Sequence, residues 1–209
     1  MREEVAFRIR AFRQVLEEAS RELPEELRGE PGKRSRWSEL KNFPAGSCDL
    51  ASNCLAQYLK DSKVCGEKGE PCILFMYGTQ PFHKAENSTV QAHVIVMLHG
   101  DYIDMTLDQF EEYTDYIPAE PVETGGVLGT LLRKIPQYEG EIETRRINLD
   151  RLGKIYAWLR DRADAILTAD PEWQAREQSM AEARQAAKRS FSFSSTTPQT
   201  GTGAPGGDK

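Results

Sequence analysis

The sequence predicts an α+β fold in which a helix that begins at a cysteine packs on a small antiparallel sheet, with helices at both ends of the chain. Apolar residues recur every three or four positions near the start of the chain, again after residue 47, and again over residues 149–167, as on one face of an amphipathic helix. Between the last two of these segments lie a continuous apolar run over residues 72–78 and two strand-like segments within residues 90–107.

The N-terminal part, residues 1–41, is predicted to be one helix followed by a loop. The apolar spacing predicts a helix over residues 2–23, which Pro24 ends. Residues 25–41 are polar and are interpreted as a loop. The basic run over residues 32–37 is interpreted as a solvated part of that loop rather than a phosphate site, because the chain as a whole is acidic.

A second helix is predicted to begin at Cys48, directly after a Pro-Ala-Gly-Ser turn. Gly46 permits the tight entry, and Ser47 is expected to be the N-cap, with its hydroxyl bonded to a free backbone N–H group of the first turn. Cys48 then occupies the first helical position. Cys54 lies within the apolar stripe of the same helix and is expected to be a core residue.

The middle of the chain is predicted to supply the sheet. The expected segments are a strand over residues 72–78, a polar loop over 79–88, two strands joined at His99-Gly100, a loop over 115–126 and a short helix over 127–134. Of the three histidines, His83 in the polar loop and His99 at the hairpin tip are expected to be solvated, whereas His93 lies within the first strand of the hairpin.

The C-terminal part begins with a strongly amphipathic helix over residues 149–167. A charged helix over residues 171–188 has little apolar face, and the Ser-, Thr-, Gly- and Pro-rich tail after it is expected to be disordered. We therefore divide the chain into the N-terminal part, a catalytic domain over residues 42–170, and a helix with tail over residues 171–209 that could dock a protein partner.

Composition excludes several classes of function. A net charge of −6 and a pI near 5.3 argue against a nucleic-acid-binding surface. No apolar run is long enough for a membrane span, and the charged N-terminus lacks the apolar core of a secretory signal, so a cytoplasmic protein is expected. The spacing of the four cysteines forms no paired C-x-x-C motif, which argues against a metal site: Cys48, Cys54, Cys65 and Cys72.

Cys48 carries the chemical hypothesis, because a helix N-terminus stabilises a thiolate. A thiol nucleophile also needs a base and a group that orients the base. If His99-Gly100 is a two-residue loop, Asp104 is a diagonal neighbour of His93 on the same face of the hairpin. The sequence therefore predicts a Cys48–His93–Asp104 triad in which the imidazole accepts the thiol proton and the carboxylate orients the imidazole.

Two alternatives stay open from the residues alone. Asp104 could stand in solvent on an exposed edge strand, and a shift of one residue in the hairpin loop would move it to the opposite face from His93. In addition, Asp49 places a negative charge beside the thiol, which opposes thiolate formation unless its side chain points away.

The stretches "FPAGSCDLAS…LAQYL" and "AHVIVMLHGDYIDMTLDQF" resemble a bacterial branch of the papain-like and transglutaminase-like cysteine protein superfamily, similar to lasso-peptide maturation proteases. The resemblance covers residues 42–110, roughly a third of the chain. It implies a papain/transglutaminase-like core in which Cys48 is the nucleophile, His93 the base and Asp104 the orienting acid. Gln109 matches the end of the motif, where the pattern assigns it no definite role.

This sequence departs from the family pattern at three points. Ile95 stands where an aromatic residue often follows the histidine, and Asp49 stands where a small residue often follows the cysteine. No upstream glutamine matches the second oxyanion donor of papain-type enzymes. We therefore take the backbone at the start of the helix as the oxyanion site, with Gly46, Ser47 and Gln109 as supporting residues.

These observations favour a cysteine-dependent acyl-transfer enzyme that hydrolyses a peptide, amide or isopeptide bond of a protein or peptide substrate and needs no cofactor. Transglutamination and deamidation use the same acyl-enzyme and stay open, because the shape of the cleft selects the acceptor. A non-catalytic interaction module on the same fold is the second alternative. A metal protein that uses the cysteines with His93 fits the spacing worst.

Overall fold

The computed structural model describes residues 2–22, 24–28, 36–66 and 69–193. It divides the chain into two compact units, Met1–Leu167 and Thr168–Lys209. The described residues form an α+β fold with seven α-helices and a five-stranded antiparallel sheet, so the predicted fold class is confirmed at that level.

The elements follow one another as helices α1 to α7 and strands β1 to β5. Their bounds, in chain order, are α1 Glu3–Glu22, α2 Trp37–Lys41, α3 Cys48–Asp61, β1 Cys72–Tyr77, α4 Gln80–Glu86, β2 Ala92–Leu98, β3 Asp101–Asp104, β4 Ile117–Pro121, α5 Val127–Gln137, β5 Glu141–Arg145, α6 Gly153–Ala169 and α7 Pro171–Phe193.

The sheet has the strand order β4-β3-β2-β1-β5 and is antiparallel at each of its four pairings. At its centre, β2 and β3 form the predicted hairpin. His99 and Gly100 make the two-residue turn with φ angles of 55° and 87°, and Leu98 pairs with Asp101. This is the pairing that the two-residue loop predicts, because both turn residues need positive φ and the loop length then fixes the register.

Apolar residues cover both faces of the sheet. One face, which includes Val94 and Val96, packs with α1, α3 and the first part of α6. The other face, which includes Leu74 and Ile95, packs with α4 and α5. The period-two alternation of β1 and β2 divides their side chains between the two faces, and their continuous apolar runs reflect burial on both sides.

Three predicted loop regions contain regular structure, which corrects the expectation for residues 25–41, 79–88 and 115–126. The first contains α2, whose Leu40 is buried. The second contains α4, and Thr79 caps the start of this helix because its hydroxyl accepts a hydrogen bond from the Phe82 N–H. A proline lies in the first turn of α4, where its missing N–H costs nothing. The third contains β4, an edge strand that tolerates two prolines.

β5, over the charged residues Glu141–Arg145, carried no strand signal in the sequence. It forms the other edge of the sheet, where exposed charged side chains are common because they oppose edge-to-edge aggregation.

In the second unit, α7 begins after Asp170, whose carboxylate accepts hydrogen bonds from the N–H groups of Glu172 at 2.8 Å and Trp173 at 3.2 Å. The helix extends to Phe193, past the predicted end at residue 188. The tail predicted to be disordered lies, from residue 194 onward, outside the described residues, as does most of the basic run over residues 32–37. Among the described helices, none is long and apolar enough to cross a membrane.

Candidate active site

The turn before α3 presents Cys48 as the first residue of the helix. Gly46 has a φ angle of +69°, in the left-handed region that favours glycine. The Ala51 N–H donates to the Ser47 carbonyl at 2.8 Å, which is the first hydrogen bond of the helix. Ser47 precedes the helix as predicted, but its buried hydroxyl donates to the Pro44 carbonyl at 2.7 Å and caps no N–H group. Ser47 therefore stabilises the turn instead of the helix end.

His93 and Asp104 form a hydrogen-bonded pair in the interior. Nε2 of His93 lies 2.5 Å from Oδ2 of Asp104, and both side chains are 0% exposed. The other carboxylate oxygen, Oδ1, accepts from the Thr106 N–H at 2.8 Å. Asp104 is therefore not a solvated edge residue. Burial would be costly for an unpaired carboxylate, and the imidazole and the Thr106 amide together supply its partners.

Cys48 completes this group of side chains. Cys48 is half-buried and lies close enough to His93 to be one of the groups that raise the pKa of its ring. Because Asp104 occupies Nε2, we infer that Nδ1 is the nitrogen that faces the thiol. Burial alone would lower the pKa of His93, but the charge of Asp104 and the hydrogen bonds to Asp104 and Cys48 outweigh it and raise the pKa to about 9. At neutral pH the ring is then cationic, and a cation beside the thiol favours the thiolate.

Gln109 connects the histidine to the turn before α3. Its Oε1 accepts from the Gly46 N–H at 3.1 Å, and its Nε2 donates to the Thr106 carbonyl at 2.9 Å, so both bonds fix the orientation of the amide. In that orientation Nε2 lies 3.3 Å from Nδ1 of His93. An amide nitrogen donates only, so this contact is favourable while Nδ1 is unprotonated and opposes the effect of Asp104 on the ring.

The backbone N–H groups around Cys48 differ in whether they are available to donate to an oxyanion. The Gly46 N–H is bound by Gln109, and the Ser47 N–H donates to the Pro44 carbonyl at 3.3 Å. The N–H groups of the first helical turn, starting with Cys48, have no acceptor within the helix by its geometry. Gly46 and Ser47 thus lie where the sequence places them, but their contacts hold the turn.

Asp49 points away from the thiol toward a cation. Its Oδ2 accepts from Arg36 at 2.6 Å, and its Oδ1 accepts from the Asn53 amide at 3.0 Å. Arg36 also binds Glu39 through both carboxylate oxygens. The negative charge next to Cys48 is therefore paired, which removes the objection that the sequence raised against a thiolate. Arg36 belongs to the region predicted to be a solvated loop.

A residue that the sequence did not indicate, Arg13 of α1, joins the segment after Asp104 to the turn before Cys48. Its guanidinium binds both carboxylate oxygens of Asp108 at 3.0 and 2.6 Å and donates to the Met105 carbonyl. The same group lies over the rings of Phe43 at 4.6 Å and Tyr116 at 4.8 Å. The cation–π contacts and the bidentate ion pair of Arg13 hold the segment after Asp104 and the turn before Cys48 together. We call this group of contacts the Arg13 clamp.

The remaining histidines and cysteines lie apart from this group. His83 was expected in a solvated loop, but it lies in α4, where its Nε2 contacts the Val90 carbonyl at 2.9 Å. His99, also expected to be solvated, contacts the Cys65 carbonyl at 2.7 Å. Cys54 is fully buried as predicted, and burial raises its pKa to about 12. Across the part of the chain that the structure describes, no cluster of three potential metal ligands was found.

Comparisons with known proteins add relatives but no activity. No family model matches the chain, and no solved structure matches it. A protein described as "Uncharacterized protein YuaU" from Escherichia coli K12 is 38% identical over 130 residues, which is 62% of this chain and 53% of that protein. The protein of the same description from Escherichia coli UTI89 gives the same identity and coverage. The chain thus spans about half the length of the curated relatives it matches.

Proposed function

We propose that this chain is a cysteine-dependent acyl-transfer enzyme that hydrolyses a peptide, amide or isopeptide bond, with Cys48, His93 and Asp104 as its catalytic residues. The observation that carries the proposal is the buried His93–Asp104 pair beside a thiol at a helix N-terminus. Burying a carboxylate and an imidazole is costly unless they are paired, and pairing that leaves the second ring nitrogen for a half-buried thiol suits nucleophilic catalysis.

The proposed hydrolysis needs only these three side chains, the backbone of α3 and water. In the resting site Nδ1 of His93 already holds the proton of Cys48, and the thiolate adds to the substrate carbonyl while the oxyanion accepts from N–H groups of the first turn of α3. The imidazolium then returns the proton to the leaving amine as the C–N bond breaks, which leaves a thioester. Water, deprotonated by His93, attacks the thioester and regenerates the thiol, and Asp104 orients the ring throughout.

The fold supports the finer parts of the same proposal. A helix that starts at the nucleophile and packs on an antiparallel sheet that bears the base is the arrangement expected of a papain- or transglutaminase-like core. An unpaired nucleophilic thiol works in a reducing compartment, and the four cysteines are free, so we place the protein in the cytoplasm. The Arg36–Asp49 pair favours an enzyme over a degenerate binding module, because it relieves the charge beside the thiol.

A non-specific activated ester tests the acyl-enzyme without knowledge of the substrate. We expect p-nitrophenyl acetate to acetylate Cys48, as mapped by peptide mass spectrometry, and the acetyl group to be lost with time in the wild type. His93→Gln should slow acetylation by about 10²-fold. A control, His83→Gln, removes a histidine outside the site and should behave as the wild type. Equal acetylation of Cys48 with and without His93 would refute the proposal.

A further inference from the structure

Gln109 takes no part in the reaction described above, although its side-chain amide contacts the catalytic base. It lies in the short segment that follows Asp104, and its Nε2 is 3.3 Å from Nδ1 of His93. Nδ1 is also the nitrogen that exchanges protons with Cys48, the leaving amine and water in the proposed reaction. A group that contacts Nδ1 therefore acts on the atom at which the proposed proton transfers occur.

Two backbone groups fix which end of the amide faces His93. Oε1 of Gln109 accepts from the Gly46 N–H at 3.1 Å, and Nε2 donates to the Thr106 carbonyl at 2.9 Å. Rotating the amide by half a turn would place its nitrogen against the Gly46 N–H and its oxygen against the Thr106 carbonyl. Both hydrogen bonds would then be replaced by repulsive contacts. The second hydrogen of Nε2 is therefore the one that is left for His93.

Both ring nitrogens of His93 face groups that the same residue, Thr106, holds in place. The Thr106 N–H donates to Oδ1 of Asp104 at 2.8 Å, and Oδ2 of that carboxylate lies 2.5 Å from Nε2 of His93. The Thr106 carbonyl holds the Gln109 amide beside Nδ1. The Phe110 ring packs edge-on against the imidazole, with centroids 4.9 Å apart. The imidazole is thus held between a carboxylate acceptor and an amide donor.

These two neighbours act on the proton of Nδ1 in opposite directions. Asp104 stabilises the imidazolium, whereas an amide N–H that points at Nδ1 is favourable only while this nitrogen keeps a free lone pair. Among the described residues, Asp104 and Cys48 are the titratable groups that act on the ring, and its neighbour on β1, Met76, is apolar. A ring held too firmly as a cation would neither give its proton to a leaving amine nor accept one from water.

We propose that Gln109 is a positioning residue that favours the neutral, Nε2-protonated form of His93 and thereby sets the rate at which the acyl-enzyme is hydrolysed. The inference deepens the proposed function and rests on it. In the resting site the amide opposes the imidazolium, but once Cys48 is acylated the ring is neutral and the contact is favourable. At 3.3 Å the contact is long for a hydrogen bond, so water can replace it at Nδ1 at little cost. Nδ1 then accepts the proton of that water as its oxygen attacks the thioester.

The first test measures the pKa of His93 without any reaction. The protein carries 15N in its histidine rings and Cys48→Ala, which removes the thiol from the titration, and NMR spectra are recorded from pH 5 to pH 10. Gln109→Met should raise the pKa of His93 by about 0.5 to 1, because the amide that opposes the cation is lost. Gln109→Glu, which places a negative charge beside Nδ1, should raise it further. Gln137→Met, the same change at an exposed glutamine, should leave it unchanged.

The second test separates the two steps of the reaction with p-nitrophenyl acetate. The leaving group of this ester needs no proton, so Cys48 should be acetylated about as fast in Gln109→Met as in the wild type. Loss of the acetyl group needs a neutral His93 and should be about threefold to tenfold slower at neutral pH, because the pKa of the ring is raised. At high pH the variant should reach the wild-type rate. Gln137→Met should match the wild type in both steps.

Two results would overturn the inference. One is an unchanged pKa of His93 in both Gln109 variants. The other is an equal slowing of acetylation and deacetylation at every pH, which is expected of a residue that only supports the turn before α3. Failure of the proposed function gives a different result, because Cys48 would then be acetylated equally with and without His93. The NMR titration would still report the effect of Gln109 on the ring.

Discussion

Two turns of one helix hold two cysteines in opposite chemical settings. Cys48, in the first turn of α3, is half-buried and lies beside a buried imidazole whose pKa it helps to raise. Cys54, in the second, is fully enclosed by the apolar core, and burial raises its pKa to about 12. Both thiols belong to the same element, so their surroundings decide which of them can act as a nucleophile.

The difference between these thiols also gives an internal reference for experiments. A thiol reagent should reach Cys54 only when the protein unfolds, because its side chain is 0% exposed. Labelling of Cys48 without labelling of Cys54 therefore reports the chemistry of the folded state. A variant that loses its fold reveals itself by modification at Cys54, which separates damage to the site from damage to the structure.

Among the residues that support Cys48 and His93, the largest effect is expected from removing the negative charge of Asp104. Asp104→Asn keeps the size of the side chain but deletes the charge that raises the pKa of His93. We expect alkylation of Cys48 by iodoacetamide at pH 6 to fall by at least about tenfold, because burial then lowers the pKa of the ring and the cation is lost. The matched control, Asp115→Asn, alters an exposed aspartate. Equal rates in these two variants would contradict the assigned role of Asp104.

Arg13→Met tests whether the clamp supports the site from a distance. Loss of the guanidinium leaves Asp108 and the Met105 carbonyl without their partner, so the free energy of unfolding should fall by about 2 kcal/mol in urea denaturation. Under native conditions Cys48 should be alkylated about threefold more slowly, as the segment that follows Asp104 loosens, while Cys54 stays protected. An unchanged ratio of Cys48 to Cys54 labelling would show that Arg13 serves stability alone. Arg10→Met, on the same helix, is the control.

The stability of the protein should depend on pH through His93. Its pKa is raised from 6.5 to about 9 in the folded state, so the folded state binds the proton more tightly than the unfolded chain. This contribution is complete below pH 6.5 and is lost as the pH rises through about 9. The difference in unfolding free energy between the wild type and His93→Gln should therefore shrink from pH 6 to pH 10. A difference that grows over this range would contradict the assigned pKa.

The smallest effect is expected at the ion pair beside the nucleophile. Arg36→Met leaves Asp49 with the Asn53 amide as its side-chain partner, and an unscreened carboxylate next to the thiol opposes the thiolate. Alkylation of Cys48 should slow by about twofold to threefold at low salt and recover at high salt. The double variant Arg36→Met/Asp49→Asn should react as fast as the wild type. A slow double variant would show that Arg36 acts through the fold and not through charge.

The sequence predicted the parts of this site that depend on local geometry. A two-residue turn at His99-Gly100 fixed the register that brings His93 to Asp104, and a glycine-containing turn placed Cys48 at the first helical position. The residues that hold the site came from elsewhere in the chain and left no local pattern. Arg13 lies on α1 and Arg36 in an apparent loop, and neither contact follows from periodicity.

The errors in the predicted secondary structure have a related cause. α4 and β4 contain prolines that suggested loops, yet a first helical turn and an edge strand both tolerate proline. β5 is charged because it is an edge, and its pairing with β1 is a long-range property. The Ser47 hydroxyl was expected to accept a hydrogen bond from a backbone N–H group of the first turn of α3. It donates instead to the Pro44 carbonyl within the preceding turn.

The most direct test of the central claim is site-resolved labelling by iodoacetamide from pH 5 to pH 9, read by mass spectrometry, on the wild type and His93→Ala. The account predicts that Cys48 labels rapidly even at the acidic end, that Cys54 stays unlabelled, and that Cys48 slows by at least about tenfold without the imidazole. If Cys48 is alkylated as slowly as an ordinary thiol, and at the same rate in His93→Ala as in the wild type, the thiol and the imidazole do not act together. That result would refute the proposed catalytic centre.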